Sequence, residues 1–225
     1  MDKTISNDII YIGCDDNEIT QFEGQYMLED GMCYNSYVIL DDKIAIMDTI
    51  DDRCGDRWLA NLNEALNGRT PDYLIVQHME PDHSSLVAET LKKYPNIKVV
   101  MSAAANKMLA LYFSEVDFSA NVKIVKEGDT LSLGKHTLQF ATAPMVHWPE
   151  VIVTYDSQSK VLFSADGFGK FGVYDSEPDD WACEARRYYF NICGKYGAQV
   201  QALLKKASNF DIQTICPLHG PILKG

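Results

Sequence analysis

The segment from Gln77 to Ser84, QHMEPDHS, constrains this chain more than any other. Tyr73 to Val76 is a short apolar run behind Pro71, which predicts a buried strand ending where His78 begins. His78, Glu80, Asp82 and His83 then spell H-x-E-x-D-H at a strand end. Alternation along an extended segment sends His78, Glu80 and Asp82 to one side, and His83 reaches a neighbouring position as a helix starts. Four metal-capable groups converge. The plainer alternative is a solvated charge cluster in which Asp82 or Ser84 caps a helix.

The other histidines sharpen the metal reading. The chain has five, and His147 lies in APMVHWPE and His219 in CPLHGP, each braced by prolines beside a strand-like run. Asp166 ends another such run in LFSADGFG. Each alone reads as structural, but together with the first four they supply three carboxylates and four imidazoles. That set is too large for one tetrahedral ion and suits two, with one carboxylate bridging. His136, in LSLGKHTLQF, alternates as an outward strand residue and is predicted at the surface. Imidazole-rich sets suit zinc, whereas Glu80 adds a hard oxygen and a charge that favours iron. Glu80, Asp82 and Asp166 offset three of the four charges of an Fe(II) pair, and a bridging hydroxide or oxide balances an oxidised one (Fe-OH-Fe or Fe-O-Fe).

Strand-like and helical runs alternate in both halves around a meandering middle. Tyr34 to Leu40 and Lys43 to Thr49 predict a hairpin, and helices are predicted at Arg53 to Asn67, Ser84 to Tyr94, Ala103 to Phe113 and from Pro178 onward. The predicted class is α/β, two stacked sheets with helices on both outer faces, and 1–225 reads as one domain. A net charge of -12 opposes a phosphate-tracking surface, so nucleic acid is excluded as a partner. No stretch approaches the roughly 18 apolar residues of a membrane span, and MDKTISNDII lacks an apolar leader, so no membrane association and a cytoplasmic location are expected. The six cysteines contain no C-x-x-C pair and read as mostly buried thiols. Gly167, Gly169 and Gly172 match G-x-G-x-x-G, but DSEPDD follows where a pyrophosphate-binding helix belongs. These glycines are instead expected to let the backbone pass close to the metals.

H-x-E-x-D-H followed by P-x-x-HWP-(D/E), LFS-x-D-x-FG and a late P-x-HG resembles the metallo-β-lactamase-like domain of flavodiiron proteins. The resemblance covers nearly the whole chain, and hydrolases of the same superfold carry H-x-H-x-D-H with zinc. It implies an αββα sandwich in which His78, Glu80 and His147 hold one iron, Asp82, His83 and His219 the other, and Asp166 bridges them. O2 or NO is then the implied ligand, reduced in the family to water or nitrous oxide. Asp48 is a candidate to orient a metal-bound histidine, and Trp148 to shield the site from water. Tyr196 matches a tyrosine lining the family's diatomic pocket. Glu23, in Phe22-Glu23-Gly24, stands where many members have histidine.

Flavodiiron reductases carry a flavodoxin-like domain and FMN, for which no counterpart is expected in this chain. The first functional expectation is therefore an oxygen or iron sensor. Its iron pair binds O2 in a peroxo or oxo-bridged state that a signalling protein reads, as in related stand-alone proteins of bacterial chemotaxis. The second is an O2 or NO reductase fed in trans by a flavodoxin, rubredoxin or flavin reductase. The third is a zinc hydrolase. Family reductases pair head to tail to bring flavin to iron, and the oligomeric state here stays open.

Overall fold

Segments such as Ala45–Met47, Tyr73–Ile75 and Lys98–Met101 place apolar residues at consecutive positions, so both faces of these strands need cover. The computed structural model describes residues 2–176 and 181–225 and supplies that cover in four layers. Strands β1 (Ile9–Tyr11), β2 (Cys14–Asp16), β3 (Gln21–Phe22), β4 (Tyr26–Met27), β5 (Met32–Tyr34), β6 (Tyr37–Ile39), β7 (Ala45–Met47), β8 (Tyr73–Ile75), β9 (Lys98–Met101) and β10 (Val122–Ile124) occupy the first half. The first sheet runs β1-β6-β7-β8-β9-β10, antiparallel from β1 to β7 and parallel from β7 to β10. The pairs β2-β5 and β3-β4 stand apart from it.

The second sheet follows chain order: β11 (Thr130–Ser132), β12 (Thr137–Thr142), β13 (Ile152–Asp156), β14 (Val161–Phe163), β15 (Thr214–Cys216) and β16 (Leu223–Lys224). Its pairs are antiparallel except β14-β15. Helices α1 (Gly55–Leu66), α2 (Pro81–Ser84), α3 (Val87–Lys93) and α4 (Ala103–Tyr112) lie in the first half, and α5 (Trp181–Ile192) and α6 (Gly197–Ala207) in the second. No described helix is long and apolar enough to cross a membrane.

Alternation decides which side chain joins which layer. Tyr37, Ile39, Met47, Ile75 and Val100 meet Leu138, Phe140, Ile152, Val161 and Phe163 between the sheets. Their neighbours Val38, Ile46, Leu74 and Val99 belong instead to the core that holds Trp58, Leu62 and Leu66 of α1. On the opposite sheet Tyr155 stacks on Phe210 just past α6, with ring centroids 4.6 Å apart. Burying each such side chain contributes about 1.5–3 kcal/mol, which is why every central strand is apolar on both faces. The predicted αββα sandwich is the observed one.

Several elements differ from the sequence reading. The strand predicted over Tyr34 to Leu40 splits at Asn35-Ser36, because Asn35 Nδ2 donates to Pro217 O (2.9 Å) and Gly220 O (2.8 Å) and Ser36 Oγ to Asp48 O (2.8 Å). The helix predicted over Ser84 to Tyr94 is the shorter α3, and a separate turn of helix, α2, starts ahead of it at Pro81. Of the helical sequence predicted from Pro178 onward, residues 178–180 lie outside the described residues and the rest supplies α5 and α6. His136 is not a surface residue. It is 1% exposed, its Nδ1 lies 2.8 Å from Asp156 Oδ2, and its backbone N–H donates to Asp41 Oδ2 at 2.7 Å. Alternation tells which residues share a face, but not whether polar partners wait beneath it to offset burial.

Candidate metal centre

Parallel strands deliver their C-terminal ends to one edge of a sheet, where loops can build a site. Met47 of β7 pairs with Ile75 of β8, so Asp48 and the His78 loop emerge side by side. Phe163 of β14 pairs with Cys216 of β15, and Asp166 and His219 each follow their pair by three residues. His147 comes from the connection between β12 and β13. The backbone is left-handed at Asp48 (φ 55°), Met145 (φ 64°) and Ala165 (φ 50°). For non-glycine residues that conformation costs on the order of 1–3 kcal/mol each. Asp48 is itself a predicted site residue, and Met145 and Ala165 stand two and one residues before His147 and Asp166, while Asn67 and Lys160 take up the same conformation away from the site.

All seven predicted ligands converge, buried, in two groups. In the first, His78 Nε2 lies 3.2 Å from His147 Nε2, 3.3 Å from Glu80 Oε2 and 3.2 Å from Asp166 Oδ2. His147 Nε2 is 3.0 Å from Glu80 Oε2 and 2.9 Å from Asp166 Oδ2. In the second, His83 Nε2 lies 3.1 Å from His219 Nε2, 3.4 Å from Asp82 Oδ2 and 3.2 Å from Asp166 Oδ1. His219 Nε2 is 3.2 Å from Asp82 Oδ2. Asp166 thus turns one oxygen to each group. Bonds of about 2.0–2.2 Å to one ion imply donor separations of roughly 2.9–3.6 Å, which these edges match.

The donor chemistry fits a pair of cations. His78 Nδ1 is held 2.7 Å from Glu150 Oε1 and His219 Nδ1 2.7 Å from Cys33 O, so each donates there and turns the Nε2 lone pair inward. Both carboxylate oxygens of Asp82 and of Asp166 are buried without a hydrogen-bond partner. Burial opposes charging His78 and His147, yet Asp166 and Glu80 outweigh it, holding His78 well above the usual range and lifting His147 to about 9. Burial pushes Asp82 up to about 8, only partly offset by His83. Asp166 and Glu80 draw protons onto His78 and His147 while burial holds Asp82 from charging, and a buried set of this kind has its charge offset when divalent ions bind.

The surrounding residues differ in part from the sequence reading. Asp48 touches no ligand ring; its carboxylate accepts from Gln77 N (2.7 Å), Gln77 Nε2 (2.9 Å) and His78 N (3.4 Å), fixing the loop. The residue that orients a ligand ring is Glu150, the last letter of HWPE, which also accepts from Met79 N at 2.9 Å. Trp148 sets its ring edge-on to His78 (5.2 Å) and His147 (5.9 Å), a lid on one flank. Glu23 brings its carboxyl beside Glu80, and partial desolvation and that charge raise its pKa.

Tyr196 sits half-buried in the turn before α6 with the Lys195 ammonium over its ring. A tyrosine that is set against the ligands is Tyr188 of α5, 5.8 Å from the His219 ring and buried, its hydroxyl without a partner. Phe22 and Tyr34 complete an aromatic wall around His219. A largely apolar cavity of about 410 Å³, lined by Asp166, Tyr188, Cys193 and Val146 among others, opens beside the centre. The glycines after Asp166 serve contacts other than those predicted: a Cβ at Gly169 would stand 2.9 Å from the Tyr188 ring, and one at Gly167 3.0 Å from Ser164 O.

Known proteins share this architecture. "Putative diflavin flavoprotein A 1" of Thermosynechococcus vestitus is 37% identical over 219 residues, covering 95% of this chain and 38% of its own length. "Nitric oxide reductase" of Moorella thermoacetica is 33% identical over 227 residues, covering 97% of this chain and 56% of that protein. The solved structure of rubredoxin oxygen:oxidoreductase from Desulfovibrio gigas superposes with a TM-score of 0.92 at 29% identity, over 99% of this chain and 57% of that one. The chain therefore spans about half or less of the length of these relatives. Residues 32–220 match the family model described as "ODP family beta lactamase"; the chain belongs to that family, and its fold is that of flavodiiron cores.

Proposed function

We propose that the seven-residue centre holds two iron ions bridged by Asp166, and that O2 or NO binds there and is reduced. The observation that carries this reading is Glu80, a carboxylate 3.0 Å from His147 Nε2 and 3.3 Å from His78 Nε2, where an imidazole would suit zinc. Held by these residues, a pair of Fe(II) ions would supply two electrons, one from each. The protein's own contribution is positional. Glu150 and Cys33 O hold two imidazoles in the donor tautomer, Trp148 keeps water from one flank, and Tyr188, lining the same cavity as Asp166, offers a hydroxyl to the diatomic.

Reduction of O2 to water takes four electrons, so turnover calls for a donor such as a flavodoxin, rubredoxin or flavin reductase. The names of the Moorella and Desulfovibrio relatives support that outcome. A donor with a basic face suits a net charge of -12, and its docking should weaken as salt rises. Oxygen sensing through a signalling partner shares the binding step and parts from reduction afterwards. We read 1–225 as one unit, since both sheets feed one centre, and place it in the cytoplasm, in keeping with six free cysteines.

The test is anaerobic loading with Fe(II), metal analysis, an optical spectrum on adding O2 or NO, and consumption with a reduced donor. Two irons per chain, a new absorption band and sustained consumption are expected. A long-lived band with negligible consumption assigns sensing instead. Preferential retention of zinc with esterase, thioesterase or lactamase activity, and no band with iron, refutes the di-iron reading.

A further inference from the structure

The apolar cavity of about 410 Å³ beside the centre is lined by residues of α5, of α6 and of the loop that follows β14. Arg186 and Gln201, both exposed, mark its outer end, and Val146, Asp166, Tyr188 and Cys193, each 4% exposed or less, its inner end. Ala185 of α5 and Val200 of α6 line it too and are half-buried. The inner end therefore includes the carboxylate that faces both metal groups, with Asp166 Oδ2 3.2 Å from His78 Nε2 and Oδ1 3.2 Å from His83 Nε2. Trp148 lies against the rings of His78 and His147 and is not part of this lining.

Two observations set this cavity apart from loose packing. Tyr188 puts on its wall a buried hydroxyl that has no hydrogen-bond partner among the described residues. Burying such a group unpaired costs free energy, and a guest that accepts a hydrogen bond recovers part of it. Phe168, 42% exposed, lines both this cavity and a smaller apolar hollow bounded by Leu203, Leu204 and Phe210. Its backbone is left-handed (φ 66°), a strained conformation for a bulky residue, and with Ala165 (φ 50°) it brackets Asp166. A dry apolar cavity of about 150 Å³ already takes up xenon, and this one has more than twice that volume.

The lining selects by hydration. An ion or a strongly hydrated molecule loses its water shell on entering, whereas a small uncharged gas has little to lose and gains apolar contact. We propose that this cavity is a binding site for small uncharged gas molecules, and that it delivers the diatomic to the Asp166 side of the centre. Ala185 and Val200, one from each helix, set its bore. The delivery half rests on the di-iron reading; the binding half does not.

The first arm of the test needs no iron. Methyl NMR spectra of the zinc-loaded protein are recorded under increasing xenon pressure, xenon serving as an inert apolar probe. Saturable shifts are expected at the methyls of Val146, Ala185, Val200 and Leu203, and should vanish in Ala185→Phe, whose ring fills the cavity. The second arm is stopped-flow mixing of NO with the Fe(II)-loaded protein. Ala185→Phe and, independently, Val200→Trp should slow the appearance of the absorption band on the order of tenfold, within the span of association rates among variants of one site, and leave its final amplitude and the iron content unchanged. Absence of xenon shifts at these methyls in the wild-type protein overturns the binding site. Wild-type rates in both filled variants, with their xenon shifts gone, overturn delivery. Xenon shifts without any NO band in the wild-type protein count against the di-iron reading and leave the gas site standing.

Discussion

Replacing Glu150 by alanine removes the acceptor that fixes the His78 ring. The side chain is 2% exposed and its Oε1 receives both His78 Nδ1 at 2.7 Å and Met79 N at 2.9 Å. Alanine therefore leaves an imidazole free to rotate or to adopt the other tautomer, and a backbone N–H without its partner. Loss of such an outer partner lowers metal affinity by about 10–100-fold, equivalent to about 1.4–2.8 kcal/mol. Glu150→Gln keeps an oxygen for both donors and removes only the charge, so its loss should be less than about tenfold. The assay is competition with a chromophoric chelator, read as two successive dissociation steps. The ion of the His78, Glu80 and His147 group should weaken in Glu150→Ala, while that of the Asp82, His83 and His219 group changes little. If both steps in Glu150→Ala stay within about twofold of wild type, Glu150 does not orient the ligand and the argument from tautomer control fails.

Three further perturbations test other links. Asp166→Ala removes the carboxylate that turns one oxygen to each group, and elemental analysis should find at most one ion per chain where two are expected of wild type; full occupancy would dissociate Asp166 from bridging. Asn35→Ala leaves Gly220 O without its side-chain donor and Pro217 O with the Tyr37 hydroxyl alone, and should destabilise the fold by about 1–3 kcal/mol in denaturant titration, with no loss meaning that water replaces the side chain. His136 is held above its ordinary pKa chiefly by the hydrogen bond to Asp156, against burial and with help from Asp41 and Asp8. A raised folded-state pKa gives stability that is fully present below about pH 6.5 and lost as pH rises through the folded value. The stability difference between wild type and His136→Gln should therefore shrink on going from about pH 6 to about pH 9, and a gap independent of pH would refute the assignment.

The convergence of the seven candidate ligands was legible in the sequence because they stand beside apolar runs short enough to be buried strands, and strand ends of an α/β sandwich are where polar groups can meet. The packing partners were less legible, for reasons that differ by residue. Glu150 stood inside a motif already noted, but nothing local tells a carboxylate that orients a ring from one that caps a turn. Asn35 was hidden in a run of strand-forming neighbours, and its role depends on carbonyls 182 and 185 residues away. Tyr188 and Tyr196 both sit in helical sequence, and helix phase alone does not say which tyrosine meets the centre. His136 shows the limit of alternation, which ranks faces by polarity while Asp156 and Asp41 make a buried polar face acceptable.

Asp166 and His219 leave β14 and β15 at equal distances from a hydrogen-bonded pair, and neighbouring strands lie about 4.8 Å apart. The backbone ladder therefore acts as a gauge, setting how far apart the carboxylate that faces both groups and the farthest imidazole begin. Exchanging the resident ion for another first-row ion changes its electron count and acidity but works against a spacing held by main-chain bonds. Loops on this edge can be rewritten, and new chemistry admitted, with the gap between the two seats left as the sheet cut it.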